Sequence, residues 1–76
     1  MAELLAYLAR ELVDDPDAVH VEAVERGSAL VLRLHVGAGD RGKVIGRGGR
    51  IVRALRELMN AAAAVRGRRV LVEIAG

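Results

Sequence analysis

The sequence predicts an α+β fold: a two-layer α/β sandwich in the order αββααβ, with one three-stranded mixed sheet covered by helices on one face. Three observations lead there. The chain has 76 residues, the size of one domain, and a domain this small buries only about 60% of its unfolded surface. Its hydrophobic periodicity switches from helical to alternating, back to helical, and to alternating again. Each switch falls at a Pro or Gly. Hydrophobic residues make up 53% of the chain, with Tyr7 as the single aromatic. The core is therefore built from Leu, Val, Ile and Ala.

Residues 2–13 carry Leu4, Leu5, Leu8 and Leu12 at helical spacing, with Tyr7 expected partly in the core. The pattern stops at Asp14-Asp15-Pro16, because proline disfavours a helical residue before it. From residue 18 to 25, Val19, Val21 and Ala23 alternate with His20 and Glu22, a strand pattern. Arg26-Gly27-Ser28 supplies a turn, and residues 29–36 (ALVLRLHV) supply a second strand, giving an antiparallel hairpin. Asp40 is placed to cap a short helix through Ile45. Glycines interrupt the chain again at 46–49. Residues 50–66 then form a longer helix, with Ile51, Leu55, Leu58, Ala62 and Val65 on one face. Gly67 sits where a C-terminal cap belongs, and residues 69–74 (RVLVEI) form the last strand. The helical connection between the second and third strands makes them parallel if adjacent. The whole of 1–76 is expected to be one domain.

Composition excludes several function classes. Cysteine is absent, which removes disulfides, thiolate zinc sites and a cysteine nucleophile. Nothing resembles a signal peptide or a membrane-spanning run, so the expected location is cytoplasmic, with no membrane partner. With Phe and Trp absent, modules that stack bases on aromatics are disfavoured. His20 and His35 lack a third ligand at metal spacing, no nucleophile–base pair is visible, and neither a metal, a cofactor nor an enzymatic activity is expected.

The formal net charge of +2 conceals a strong asymmetry. Residues 1–40 hold three basic and eight acidic groups, a net −5; residues 41–76 hold nine basic and two acidic groups, a net +7. A basic half is the footprint of a polyanion partner.

Three glycine motifs compete within that half. Gly37-x-Gly39-x-x-Gly42 follows a strand but lacks the βαβ unit and the acidic strand end of a dinucleotide site. Gly37 to Lys43 matches a phosphate loop up to its last position. There Val44 replaces the hydroxyl residue that would hold Mg²⁺. The third, Gly46-Arg47-Gly48-Gly49, breaks the chain between a short and a long helix. Glycines there leave room for a sugar–phosphate backbone. The following helix turns free N–H groups and a positive dipole end toward phosphate, and Arg47 and Arg50 add charge. Val44 and Ile45 would form an apolar floor for bases.

The run Gly42-Lys43-Val44-Ile45-Gly46-Arg47-Gly48-Gly49-Arg50, in an αββααβ order, resembles the KH domain. In that domain a GXXG loop clamps about four nucleotides of single-stranded backbone. The element order resembles the type II arrangement, and the likeness to small bacterial single-KH proteins of the KhpA type covers essentially the whole chain. It implies a single-stranded RNA partner held by Val44, Ile45, Gly46, Arg47, Gly48, Gly49 and Arg50, with GXXG at 46–49; Arg53, one helical turn beyond Arg50, and Lys43, just before the loop, are expected to add contacts. It also implies a homodimer, or a heterodimer with a larger Jag-type KH protein, and a role as RNA chaperone or post-transcriptional regulator in cell shape and division. The alternative is an interaction or dimerisation module acting mainly through a partner KH protein, with weak RNA or single-stranded DNA binding.

Overall fold

The computed structural model describes residues 1–75, and its elements follow the expected order. Helix α1 spans Ala2–Arg10, strand β1 His20–Arg26, strand β2 Ala29–His35, helix α2 Arg41–Ile45, helix α3 Arg50–Ala64 and strand β3 Arg69–Ile74. Single 3₁₀ turns at Pro16–Ala18, Ala38–Asp40 and Arg47–Gly49 fill the connections.

The sheet is mixed, in the order β1-β2-β3. Strands β1 and β2 pair antiparallel, from His20 opposite His35 to Arg26 opposite Ala29. Their two-residue loop places Gly27 at φ 59°, the positive dihedral such tight hairpins need. Strands β2 and β3 pair parallel, from Ala29 beside Arg69 to Leu34 beside Ile74. Alternation turns Leu32, Leu34, Val70 and Val72 toward the helices, where they join Leu5, Ala9, Val44, Leu55, Met59 and Ala63 in the core.

Helix α3 ends in a Schellman arrangement. Gly67 at φ 68° lets Arg68 N–H reach the Ala63 carbonyl at 3.0 Å and Gly67 N–H reach that of Ala64 at 3.0 Å. This glycine turns the chain into β3 and so sets the parallel register.

Four local expectations are corrected. Helix α1 ends at Arg10 rather than residue 13, because the backbone N–H groups of Asp14 and Asp15 are drawn to the Asp40 carboxylate, and Leu12 and Val13 fold back against the core. Tyr7 is 59% exposed. The inward stripe of α1 is Leu5, Ala6 and Ala9, and two residues of helix turn Tyr7 about 200° away from Leu5. On α3 the buried stripe is Val52, Leu55, Met59 and Ala63, whereas Leu58 and Val65 are exposed. The apolar arc of this helix is wider than one stripe, and the sheet takes only the half that contains Met59. Asp40 opens α2 but makes no capping bond with its side chain; its carboxylate points elsewhere, as described next.

Candidate nucleic-acid interface

The glycine segment owes its shape to one tight contact. Gly46 ends α2 at φ 77°, ψ 169°, a region closed to residues with a Cβ. A Cβ at Gly46 would lie 2.4 Å from Ile51 Cγ1 and 2.8 Å from the Ile51 nitrogen. Ile51 thus packs directly on the Gly46 backbone, and only glycine fits beneath it. Two further left-handed glycines follow, Gly48 at φ 64° and Gly49 at φ 76°. A Cβ at Gly48 would meet nothing within 4 Å, so this point of the loop stands clear of the protein. Bonds from Gly46 N–H to the Gly42 carbonyl (2.8 Å) and from Gly49 N–H to the Gly46 carbonyl (3.1 Å) hold the turn.

Helix α3 starts immediately after the loop, at Arg50. The N–H groups of its first turn have no intrahelical acceptor and carry the positive end of the helix dipole. Arg47, Arg50 and Arg53 are all exposed. None makes an ion pair among the described residues, whose pairs involve Arg33, His35, Lys43 and Arg68. Three exposed arginines without an ion-pair partner among the described residues therefore flank a bare glycine backbone at a helix N-terminus.

The other expected contact residues divide. Val44 is fully buried in the core, so it has no side-chain surface to offer a base. Ile45 is half-buried and retains some. Lys43 is already engaged, its Nζ 3.2 Å from Asp14 Oδ2 and 3.6 Å from Asp40 Oδ1. The hydrogen bond and charge of Asp14, seconded by Asp40, raise the Lys43 pKa above its ordinary value.

Asp40 is the residue that sequence reasoning missed. It is 4% exposed, and its two oxygens accept the N–H groups of Asp14 (3.2 Å) and Asp15 (3.1 Å). Those bonds, Asp14 first, hold its carboxyl below the usual carboxylate range against the opposing effect of burial, with Lys43 adding to the depression. One carboxylate thus fastens the α1–β1 connection to the start of α2, the element that leads into the loop. Its partners lie 25 and 26 residues away, and the sequence offers no local sign of them.

Arg56 turns away from the loop. Its Nε donates to the Val72 carbonyl at 3.3 Å, while Asn60 accepts Val70 N–H at 3.4 Å and donates to the Arg56 carbonyl at 2.9 Å. The two side chains cover the outer edge of β3. His35 lies 2.6 Å from Glu22 on the sheet. No helix among the described residues is long and apolar enough to cross a membrane. No group of three or more His, Asp or Glu is arranged there to hold a metal.

Comparison with known proteins places these features in a family. Residues 2–74 match a family model described as "KhpA/KhpB, KH domain". The chain is 46% identical over 74 residues to RNA-binding protein KhpA of Caldanaerobacter subterraneus, covering 97% of this chain and 99% of that one. It is 47% identical over 72 residues to RNA-binding protein KhpA of Treponema pallidum, covering 95% and 90%. Among solved structures, Era of Aquifex aeolicus bound to GDP and AlF₄⁻ superimposes with a TM-score of 0.65 at 19% identity. That match takes in 96% of this chain and only 28% of Era, so the likeness is to one part of a longer protein and concerns the fold.

Proposed function

Because the chain belongs to the KhpA/KhpB family of KH-domain proteins, we propose that it binds single-stranded RNA by clamping the sugar–phosphate backbone across Gly46–Gly49. The observation that carries this reading is the meeting of a bare glycine backbone, an α3 N-terminus and three unpaired arginines at one point of the surface. Phosphate approaches Gly48 without meeting a side chain. Arg47 and Arg50 neutralise it, Arg53 follows the strand one turn along α3, and Ile45 offers apolar surface to a base. Lys43 adds a weaker field from its ion pair. Backbone contacts of this kind position the strand and carry little sequence information. A single module without base-stacking aromatics should bind weakly, in the range of roughly 10⁻⁴–10⁻⁶ M. Such a binder suits a chaperone or post-transcriptional role better than tight recognition of one sequence.

The test is replacement of Arg47 and Gly48 together by Asp. Open space surrounds Gly48, and Asp tolerates a left-handed conformation better than most residues, so the fold should be retained. Fluorescence anisotropy with a labelled single-stranded RNA should show binding lost while circular dichroism stays native. Parent-like binding by the double variant would remove the loop from the reading.

A second reading, an interaction module, is favoured by one observation. A groove lined by Leu8, Leu12, Ile51, Ala54, Leu55 and Leu58 runs between α1 and α3. It is a candidate seat for a second copy or for a larger Jag-type KH protein.

A further inference from the structure

The face of the sheet turned away from the helices is organised in rows, set by the strand registers. At the hairpin end lies Arg26–Ala29–Arg69, then Val24–Val31–Leu71, then Glu22–Arg33–Glu73. Adjacent rows are about 6.8 Å apart, and adjacent strands about 4.8 Å. In the first row two exposed arginines therefore stand on either side of the small Ala29, their Cα atoms about 9.6 Å apart. Neither makes an ion pair among the described residues, nor does Arg66 in the turn that leads into β3, whereas Arg68 is engaged with Glu25. The middle row is apolar and partly open, with Val24 42% and Leu71 49% exposed on either side of buried Val31. In the third row Glu22 and Glu73 flank Arg33 at 3.8 and 3.5 Å, which leaves one carboxylate in excess.

We propose that the hairpin end of this outer face is a second binding surface for single-stranded RNA, separate from the glycine loop. Arg26 and Arg69 meet a phosphate from both sides across the gap left by Ala29, with the planar donor geometry that suits phosphate oxygens. A nucleotide held there rests its base on the neighbouring Val24–Val31–Leu71 row. Beyond that row the excess carboxylate repels phosphate. The RNA backbone thus runs across the strands, along the arginine row, and does not follow the strands toward the glutamates. A carboxylate alone would leave the apolar row uncovered, whereas a nucleotide brings an anion and a flat ring system together.

Helix α3 spans 15 residues, a length of about 21 Å. The glycine loop lies at its start, in the helix layer. The arginine row lies past its far end, on the opposite face of the sheet. The two sites face in different directions, so each takes its own RNA segment and one chain brings two segments together. With two phosphate contacts and no aromatic platform, the surface binds weakly, at about 10⁻⁴ M. The inference rests on the reading of the chain as an RNA binder, and it does not need the clamp.

The experiment is an amide NMR titration of the full chain with a short oligouridylate, run on the parent and on the variant that disables the clamp, Arg47→Asp with Gly48→Asp. The expected result is shifts at Arg26, Ala29, Val31, Arg69 and Leu71 in both proteins, joined in the parent alone by shifts at residues 46–50. In the clamp variant, affinity should fall with salt at a log–log slope of about −1.4, two phosphate contacts at about 0.7 each. Adding Arg26→Gln and Arg69→Gln, which keep the side-chain stems, should abolish the sheet shifts and leave the rest of the spectrum native. Glu73→Gln should tighten binding at the sheet about two-fold. Shifts confined to the loop of the parent, with none in the clamp variant, overturn the second surface and leave the clamp standing. Sheet shifts in both proteins without loop shifts support the surface and remove the clamp, whereas no shifts in either overturn both. Tetraglutamate or inorganic phosphate that reproduces the sheet shifts makes the row a general anion site. Sheet shifts that follow protein concentration without RNA make the face a contact between copies. Either result overturns the proposal.

Discussion

Asp40 and the Gly46–Gly49 loop lie within ten residues of each other and use charge in opposite ways. Asp40 and Lys43 commit their charges: the carboxylate accepts two backbone N–H groups, and Lys43 bridges it to Asp14. Around the loop no side-chain charge is committed, since Arg47, Arg50 and Arg53 have no ion-pair partner among the described residues. The first region fixes where α2 lies. The second leaves its charges exposed to solvent. A charge that is buried and hydrogen-bonded contributes to the fold, whereas an exposed arginine without a partner contributes little to stability and much to phosphate attraction.

The sharpest way to break this contrast is to damage the hinge between the two regions. Gly46→Ala drives a Cβ into Ile51 and strains a backbone that only glycine adopts. The two costs together come to about 2–5 kcal/mol, a large part of the stability of a small domain. Urea denaturation should show a much lower midpoint, and RNA binding should fall with it. Gly48→Ala, in open space, should cost about 1 kcal/mol through its positive φ alone. Equal losses at the two glycines would mean that Ile51 does not pack on Gly46 as described.

The two regions also differ in how far they can be read from the sequence. The loop is a local motif: its glycine spacing, flanking arginines and place between two helices are contiguous, so the motif is visible without a structure. The order of elements is equally local, because each periodicity change falls at a Pro or Gly. The Asp40 anchor is not, since an Asp before a short helix has an ordinary local explanation as a cap, and only folding brings residues 14 and 15 beside it. The buried stripe of α3 was hidden for a related reason. Both Leu55–Met59 and Ile51–Leu58 are apolar, and the choice between them depends on where the sheet lies. Burial of Val44 beneath the loop follows from the same placement of α2 against the core.

The next effect in size concerns the anchor and has a pH signature. The Asp40 carboxyl is held below the ordinary value by Asp14 N–H, then Asp15 N–H and Lys43. A group depressed by folding stabilises the native state above its unfolded value, about pH 3.9. That stabilisation is lost as pH falls through the lower folded value. Asp40→Asn keeps the shape but sets an N–H₂ donor against a backbone N–H. The variant should have a lower thermal midpoint at pH 7, and its midpoint should fall less steeply than the parent's below about pH 4. Parallel pH curves for the two proteins would show that Asp40 is not the titrating anchor.

The smallest expected effect separates the two kinds of cation directly. Arg50 is uncommitted, whereas the Lys43 ammonium already lies 3.2 Å from Asp14 and 3.6 Å from Asp40. A phosphate must compete with two carboxylates for Lys43 but finds Arg50 free. Arg50→Ala should therefore weaken RNA binding several-fold. It should also flatten the log–log salt dependence by about 0.7, the loss of one phosphate contact on a single strand. Lys43→Ala should change affinity by less than about two-fold and leave the slope unaltered, since little net counterion release depends on a charge already neutralised. Anisotropy titrations at four or five salt concentrations measure both quantities. A slope that drops equally in the two variants would mean that Lys43 leaves Asp14 and Asp40 to meet the RNA, and the division between fastening charge and binding charge would then fail at Lys43.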